Sequence, residues 1–247
     1  MSRTLLVPRR FNGPPTSGNG GYVAGLLARE LLRREPGHAA VEVTLRAALP
    51  LDRALPVEPR PGGGVTLFDE GQLLAEAVGV ALDLELPPAP SLDEARAAGA
   101  TGRMRSAAGI ANPYLHCFGC GVARGAHDGL RIAPSPVGDA EVVASDWTPH
   151  AAFADEQGRV AAEIVWTALD CPAGIAWGYR MGGGAAALLT GRITLAMVGE
   201  VRAGEPYVVA AWPLEREGRK LLAGAALFDA EGRAVAFSRQ LWFAPRD

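Results

Sequence analysis

Lysine is almost absent from this chain. Lys220 is the only one in 247 residues, so nearly all of the positive charge is arginine. The arginines are scattered, and the densest cluster (Arg29, Arg33, Arg34) shares its segment with Glu30 and Glu35. No basic stripe with interleaved aromatics exists, and with a net charge of −3 a nucleic-acid partner is not expected. Aromatics make up only 6% of residues against 49% hydrophobic overall, so a sizeable core must be built mostly from alanine, valine and leucine. No run approaches the roughly 20 uninterrupted apolar residues of a membrane span. The opening MSRTLLVPRRFNGPP lacks the apolar stretch and small-residue cleavage site of a signal peptide. Three cysteines (Cys117, Cys120, Cys171) are an odd number and imply no disulfide framework. The expectation is a cytoplasmic protein with no membrane association.

What is present is a loose internal duplication. Residues 41–82 and 192–243 each contain a basic-then-apolar strand, a turn, and two long alternating strands joined by glycine-containing turns. Period-two patterning runs through Val65 and Leu67 in the first copy and through Leu221, Ala223 and Ala225 in the second. One helical segment precedes each block. In the first it is GNGGYVAGLLARELLRREPG, with Asn19 as cap and Pro36-Gly37 as stop. In the second it lies over residues 160–177. Short apolar strands are expected ahead of the helices, at 4–7 in the first copy and at 129–133 (GLRIA) and 142–147 in the second. Between the copies, PPAPSLDEARAAGATGRMRSAAG reads as a connector with a helical turn or two.

The 160–177 helix is apolar all round and so must be buried on all sides. An antiparallel sheet curved around it supplies that cover. Yet Glu163, Thr167 and Asp170 interrupt the run, and the spacing puts all three on one helix face. A buried carboxylate needs a partner or a raised pKa. Such a group suits a general base or nucleophile. The structural alternatives are an ion pair between Glu163 and Arg159, and Asp170 capping a helix that restarts after Pro172.

Four segments in this order, SGNGGYVAGLLARE (17–30), HCFGCG with DGLRI (116–132), DEQGRVAAEIVWTALDCPAG (155–174) and the strand block 204–239, resemble the hotdog fold of thioesterases and dehydratases, in its fused double form. The resemblance implies an α+β fold of two tandem hotdog units, 1–89 and 111–247, joined by a 90–110 connector. It further implies hydrolysis of acyl-CoA or related acyl thioesters, with a helix carboxylate activating water or attacking the carbonyl. Thioesterases of the family commonly open the central helix with His-Gly-Gly or similar and carry a carboxylate about two turns on. Asn19-Gly20-Gly21 fills the first role in copy one, where Ala28 stands in the carboxylate position. Asp170 fills the second role in copy two, where Ala161-Ala162-Glu163 occupies the glycine slot. Because family sites lie between two units, the resemblance implies either that the copies complement one another or that the catalytic apparatus has decayed.

The expected catalytic residues are therefore Asp170, with Thr167 and Glu163 orienting water, and Asp155 beside the Gly158 turn. Asn19, Gly20, Gly21 and the adjoining Tyr22 are the expected substrate contacts, with glycine N–H groups polarising the carbonyl. The rival reading is a non-catalytic module that binds acyl thioesters or lipids. A hydratase or dehydratase ranks last, because none of His38, His116, His127 or His150 falls on either helix. A homodimer or higher homo-oligomer is implied, with no cofactor.

Cys117 and Cys120 form half a zinc site without a second pair. A site completed by Cys171 requires a buried helix to reach this turn, so reduced cysteines and no metal are expected. The glycine run of RMGGGAAALLTGRI lacks the strand, loop and Lys-Ser/Thr of a phosphate-binding loop and reads as a hairpin or strand-entry loop. No Gly-x-Ser-x-Gly elbow occurs. Trp166, Trp177, Trp212 and Trp242 are expected in the core or at an interface, some of them lining an acyl tunnel.

Overall fold

A computed structural model describes residues 3–110, 112–138, 141–182 and 187–245. The first half comprises strand β1 (Arg3–Leu6), helix α1 (Gly20–Arg34), and strands β2 (Ala40–Leu45), β3 (Ala54–Pro59), β4 (Val65–Asp69) and β5 (Gln72–Val80). Helix α2 (Leu92–Ala107) follows. The second half comprises strands β6 (Ser135–Pro136) and β7 (Val143–Trp147), helix α3 (Ala162–Arg180), and strands β8 (Leu189–Met197), β9 (Tyr207–Glu217), β10 (Lys220–Phe228) and β11 (Ala234–Phe243).

All eleven strands form one sheet in the order β1-β3-β4-β5-β2-β8-β11-β10-β9-β7-β6. Read outward from its centre, each half repeats the same sequence of roles. β2, β5, β4, β3, β1 on one side match β8, β11, β10, β9, β7 on the other. The duplication glimpsed in sequence is thus a duplication of topology. The halves join at β2 and β8, which run antiparallel with Val43 opposite Ile193 and Thr44 opposite Arg192. Across this seam Thr194 donates to Glu42 at 3.0 Å.

The two matching helices pack on each other, and small residues bring them close. Gly21 and Gly25 lie one turn apart on α1, facing α3. A Cβ on Gly21 would stand 2.6 Å from the Trp166 carbonyl oxygen, and one on Gly25 would stand 2.4 Å from the Glu163 Cα. Helix α3 is buried along nearly its whole length, Val165, Ala168, Leu169 and Ala173 completely. Burial of each such leucine or valine contributes about 1.5–3 kcal/mol, which outweighs the modest helix propensity of an interior carrying Pro172.

Two local expectations change. The connector is a full helix of 16 residues rather than a turn or two. Ser91 and Glu94 close a capping box at its start, and its small residues seat it on its neighbours, Gly99 against Ser145 and Asp146 of β7, Gly102 against the Ala133 carbonyl, and the Ala98 carbonyl accepting from Ser135 of β6. Residues 129–133 form no strand. Leu130 and Ile132 donate to the carbonyls of Phe118 and Gly119, but Arg131 between them has φ +57° and breaks the extension. Residues 183–186 of the glycine run lie outside the described residues. Among the described residues no helix is long and apolar enough to cross a membrane.

Candidate functional site

The start of α1 is fixed from several directions. Asn19 receives the Tyr22 N–H on its side-chain oxygen at 2.9 Å, while its own N–H donates to the Phe11 carbonyl at 2.9 Å. This directs the Gly21 N–H, with the partial positive charge of the helix start, at α3. There it meets Asp170. One carboxylate oxygen accepts the Gly21 N–H at 2.9 Å, and the other accepts the hydroxyl of Thr190, on β8, at 2.9 Å. Asp170 is 2% exposed. Burial pushes its pKa up to about 7 in spite of these hydrogen bonds, which favour the charged form. The group is thus divided between acid and base near neutral pH.

Beside it lies a cavity of about 720 Å³, a size that takes a drug-sized ligand. Asn19, Gly20, Asp170, Thr190 and the three cysteines form its polar wall. Leu45, Leu49, Leu188, Trp242 and Phe243 form an apolar wall, and the exposed residues Arg46 and Arg219 stand at the rim. The Gly20 N–H, foremost in the helix, has no acceptor among the described residues.

The remaining expected residues are dispersed. Thr167 is completely buried and donates back to the Glu163 carbonyl at 2.8 Å, within its own helix. Glu163 pairs with Arg29 of α1, not with Arg159. Asp155 sits in an exposed turn, where it accepts the Gln157 and Arg159 N–H groups and pairs with the Arg159 side chain at 2.9 Å. Tyr22 stacks on Phe11 with ring centroids 3.9 Å apart. None of these four lines the cavity. Asp170 caps no restarted helix either: α3 continues through Pro172, and the carboxylate is held by α1 and β8. The corner related by the duplication carries Ala28 and the Ala161–Glu163 segment, and the Arg29–Glu163 pair occupies it. One half therefore supplies the amide donors and the other supplies the carboxylate.

Two features were illegible in the sequence. Thr190 follows a glycine run and carries no motif, so only the sheet brings it to Asp170. Cys171 does reach the Cys117–Cys120 turn, contrary to the expectation drawn from its place in a helix. The three sulfurs lie within 4.8 Å of one another. Of the tryptophans, Trp242 lines the cavity, and Trp166, Trp177 and Trp212 are buried.

A buried carboxylate poised near neutrality, fixed against a helix N-terminus and opening on an apolar cavity, can move a proton from water while the helix end receives negative charge. No family model and no curated protein matches the sequence significantly. Solved structures do match over almost the whole length. The tesB protein of Mycobacterium avium subs paratuberculosis is 16% identical, covers 98% of this chain and 91% of its own, and superposes with a TM-score of 0.61. A candidate thioesterase of Novosphingobium aromaticivorans is 15% identical, with 98% and 95% covered and a TM-score of 0.61. A conserved hotdog-fold protein of Alicyclobacillus acidocaldarius is 10% identical, with 99% and 93% covered and a TM-score of 0.61. The chain is similar in fold to these thioesterase and hotdog proteins, as its sequence resemblance implied.

Proposed function

We propose that the chain is a double hotdog that hydrolyses acyl thioesters, coenzyme A esters foremost, at one site between its halves. The observation that carries this reading is the hydrogen bond from the Gly21 N–H of α1 to the buried Asp170 carboxylate of α3 at the cavity wall. The matching strand order of the two halves supports the double architecture. The likeness in fold to thioesterases supports the reaction class.

In this mechanism the thioester carbonyl lies at the start of α1, where the Gly20 N–H and the helix dipole receive the developing oxyanion. Asp170 in its charged form takes a proton from a cavity water as the water oxygen bonds to the carbonyl carbon. The C–S bond then breaks, and the proton held on Asp170 returns to the departing thiolate. Thr190 orients the carboxylate, and Asn19 holds the helix end. The acyl chain lies against Leu49, Leu188 and Trp242, while Arg46 and Arg219 face the anionic end of the carrier. Glu163, Thr167, Asp155 and Tyr22 act through packing and ion pairing rather than on the substrate.

One observation favours a second reading, binding without turnover. The Gly21 N–H is already engaged by Asp170, so the oxyanion has one helix donor fewer than a free glycine pair would give. Thiol release from a panel of short- to long-chain acyl-CoA esters separates the two. Turnover by the wild type that collapses in a folded Asp170→Asn variant upholds hydrolysis. Saturable binding of the same esters with no thiol released by either protein establishes the binder instead.

A further inference from the structure

Residues 112–134, which lead into β6, contain no helix or strand. Irregular connections of this length are uncommon in compact domains and need something to hold them. Phe118 and Ile132 anchor this one by burial. A third tie is chemical. Cys117 and Cys120 of the segment meet Cys171 of α3, and all three are free thiols.

The geometry is that of a metal triangle. A tetrahedral zinc with Zn–S bonds of about 2.3 Å sets its sulfurs about 3.8 Å apart. Cys117 Sγ and Cys171 Sγ are 3.7 Å apart, and the third sulfur completes a triangle with no side above 4.8 Å. Closing that triangle on an ion takes a movement of about 1 Å at most, within reach of a cysteine rotamer.

Amide donors face the sulfurs. Asn19 Nδ2 lies 3.7 Å from both Cys117 Sγ and Cys171 Sγ, and Asn112 Nδ2 lies 3.1 Å from Cys120 Sγ. Every sulfur thus faces a nitrogen donor, and the positive end of α1 starts beside them. Sulfurs that each face a fixed donor suit metal-ligating thiolates, with the amides acting as the second layer that orients them.

We propose that Cys117, Cys120 and Cys171 are a three-thiolate site for zinc, which clips the 112–134 segment to α3. All three cysteines line the cavity, so the fourth coordination position opens there, to water or to a ligand sulfur. Loading exchanges up to three thiol protons for one Zn²⁺, and the protons pass to solvent. The site stands whether or not the cavity hydrolyses thioesters.

The test uses the full, tag-free chain purified under reductant without chelator. Element analysis gives the zinc content, and competition with a chromophoric chelator gives the affinity. Replacement by Co²⁺ gives an absorption spectrum that counts thiolates. The expected result is one zinc per chain and cobalt charge-transfer absorption of three thiolates in a tetrahedral ligand field. Cys117→Ser, Cys120→Ser and Cys171→Ser are each expected to weaken zinc binding by more than about tenfold. Less than one zinc per chain after saturation, a cobalt spectrum without thiolate charge transfer, or a Cys171→Ser variant that binds as tightly as wild type overturns the proposal. Should a serine variant not fold, the cobalt spectrum of the wild type still decides.

Discussion

Asp170→Asn keeps the shape of the side chain while removing its charge, and its consequences for stability and for activity have opposite signs. The amide oxygen can still accept the Gly21 N–H, and the amide nitrogen can donate to the Thr190 hydroxyl. What changes is ionisation. In the unfolded chain Asp170 titrates near 3.8, and in the folded chain near 7. Below pH 4 it is protonated in both states and costs nothing. Between pH 4 and 7 the unfolded state gains from ionising while the folded state does not, so wild-type stability falls as pH rises. At about 1.4 kcal/mol per pH unit, the full penalty above pH 7 is about 4 kcal/mol. The asparagine variant has no such penalty. Urea unfolding of both proteins at pH 5 and pH 8 reads the effect, since titrations that do not couple to Asp170 cancel in the comparison. A chelator in the buffer keeps the neighbouring sulfur cluster metal-free. The variant should gain about 2–3 kcal/mol on the wild type between the two pH values while its thiol release falls by about 10²–10⁴-fold. Parallel stabilities at pH 5 and pH 8 refute the reasoning, because they mean that the Gly21 and Thr190 hydrogen bonds keep Asp170 ionised throughout.

The other predictions concern its neighbours. Thr190→Val removes a donor to the charged carboxylate, so the alkaline rise of activity should move upward by about one pH unit; a profile fixed near 7 would detach Thr190 from the site. Gly25→Ala sets two effects against each other: helix propensity favours alanine by about 1 kcal/mol, whereas a Cβ at 2.4 Å from the Glu163 Cα costs more than that. Net destabilisation in chemical denaturation is expected, and net stabilisation would mean that α1 and α3 are less closely packed. Arg29→Ala leaves the Glu163 carboxylate, 9% exposed, without its cation. About 1–2 kcal/mol of stability should be lost with thiol release per folded molecule unchanged, and a matching loss of turnover would draw Glu163 into the chemistry.

The sequence by itself determined the elements and their repetition. Period-two patterning marked the long strands, Asn19 and Pro36-Gly37 bounded α1, and the all-round apolarity of 160–177 required a buried helix. These are signals within a few residues of one another, written by turn chemistry and by the periods of strand and helix. The resemblance carried by the same segments named Asn19-Gly20-Gly21 and Asp170 as halves of one site. Position on a helix face did not say which carboxylate lines the cavity. Glu163 and Asp170 share a stripe in sequence, yet α3 crosses α1 so that one meets Arg29 and the other meets a helix N-terminus. The length of the connector helix is not legible in sequence because an alanine- and glycine-rich helix has little apolar periodicity, and its burial comes from close contact of small residues with β7 and residues 133–135. Thr190 and the meeting of Cys117 with Cys171 were decided only by tertiary structure. Their partners are 20 and 54 residues away in the chain, and no local propensity encodes a distance that the sheet and the helix pair impose together.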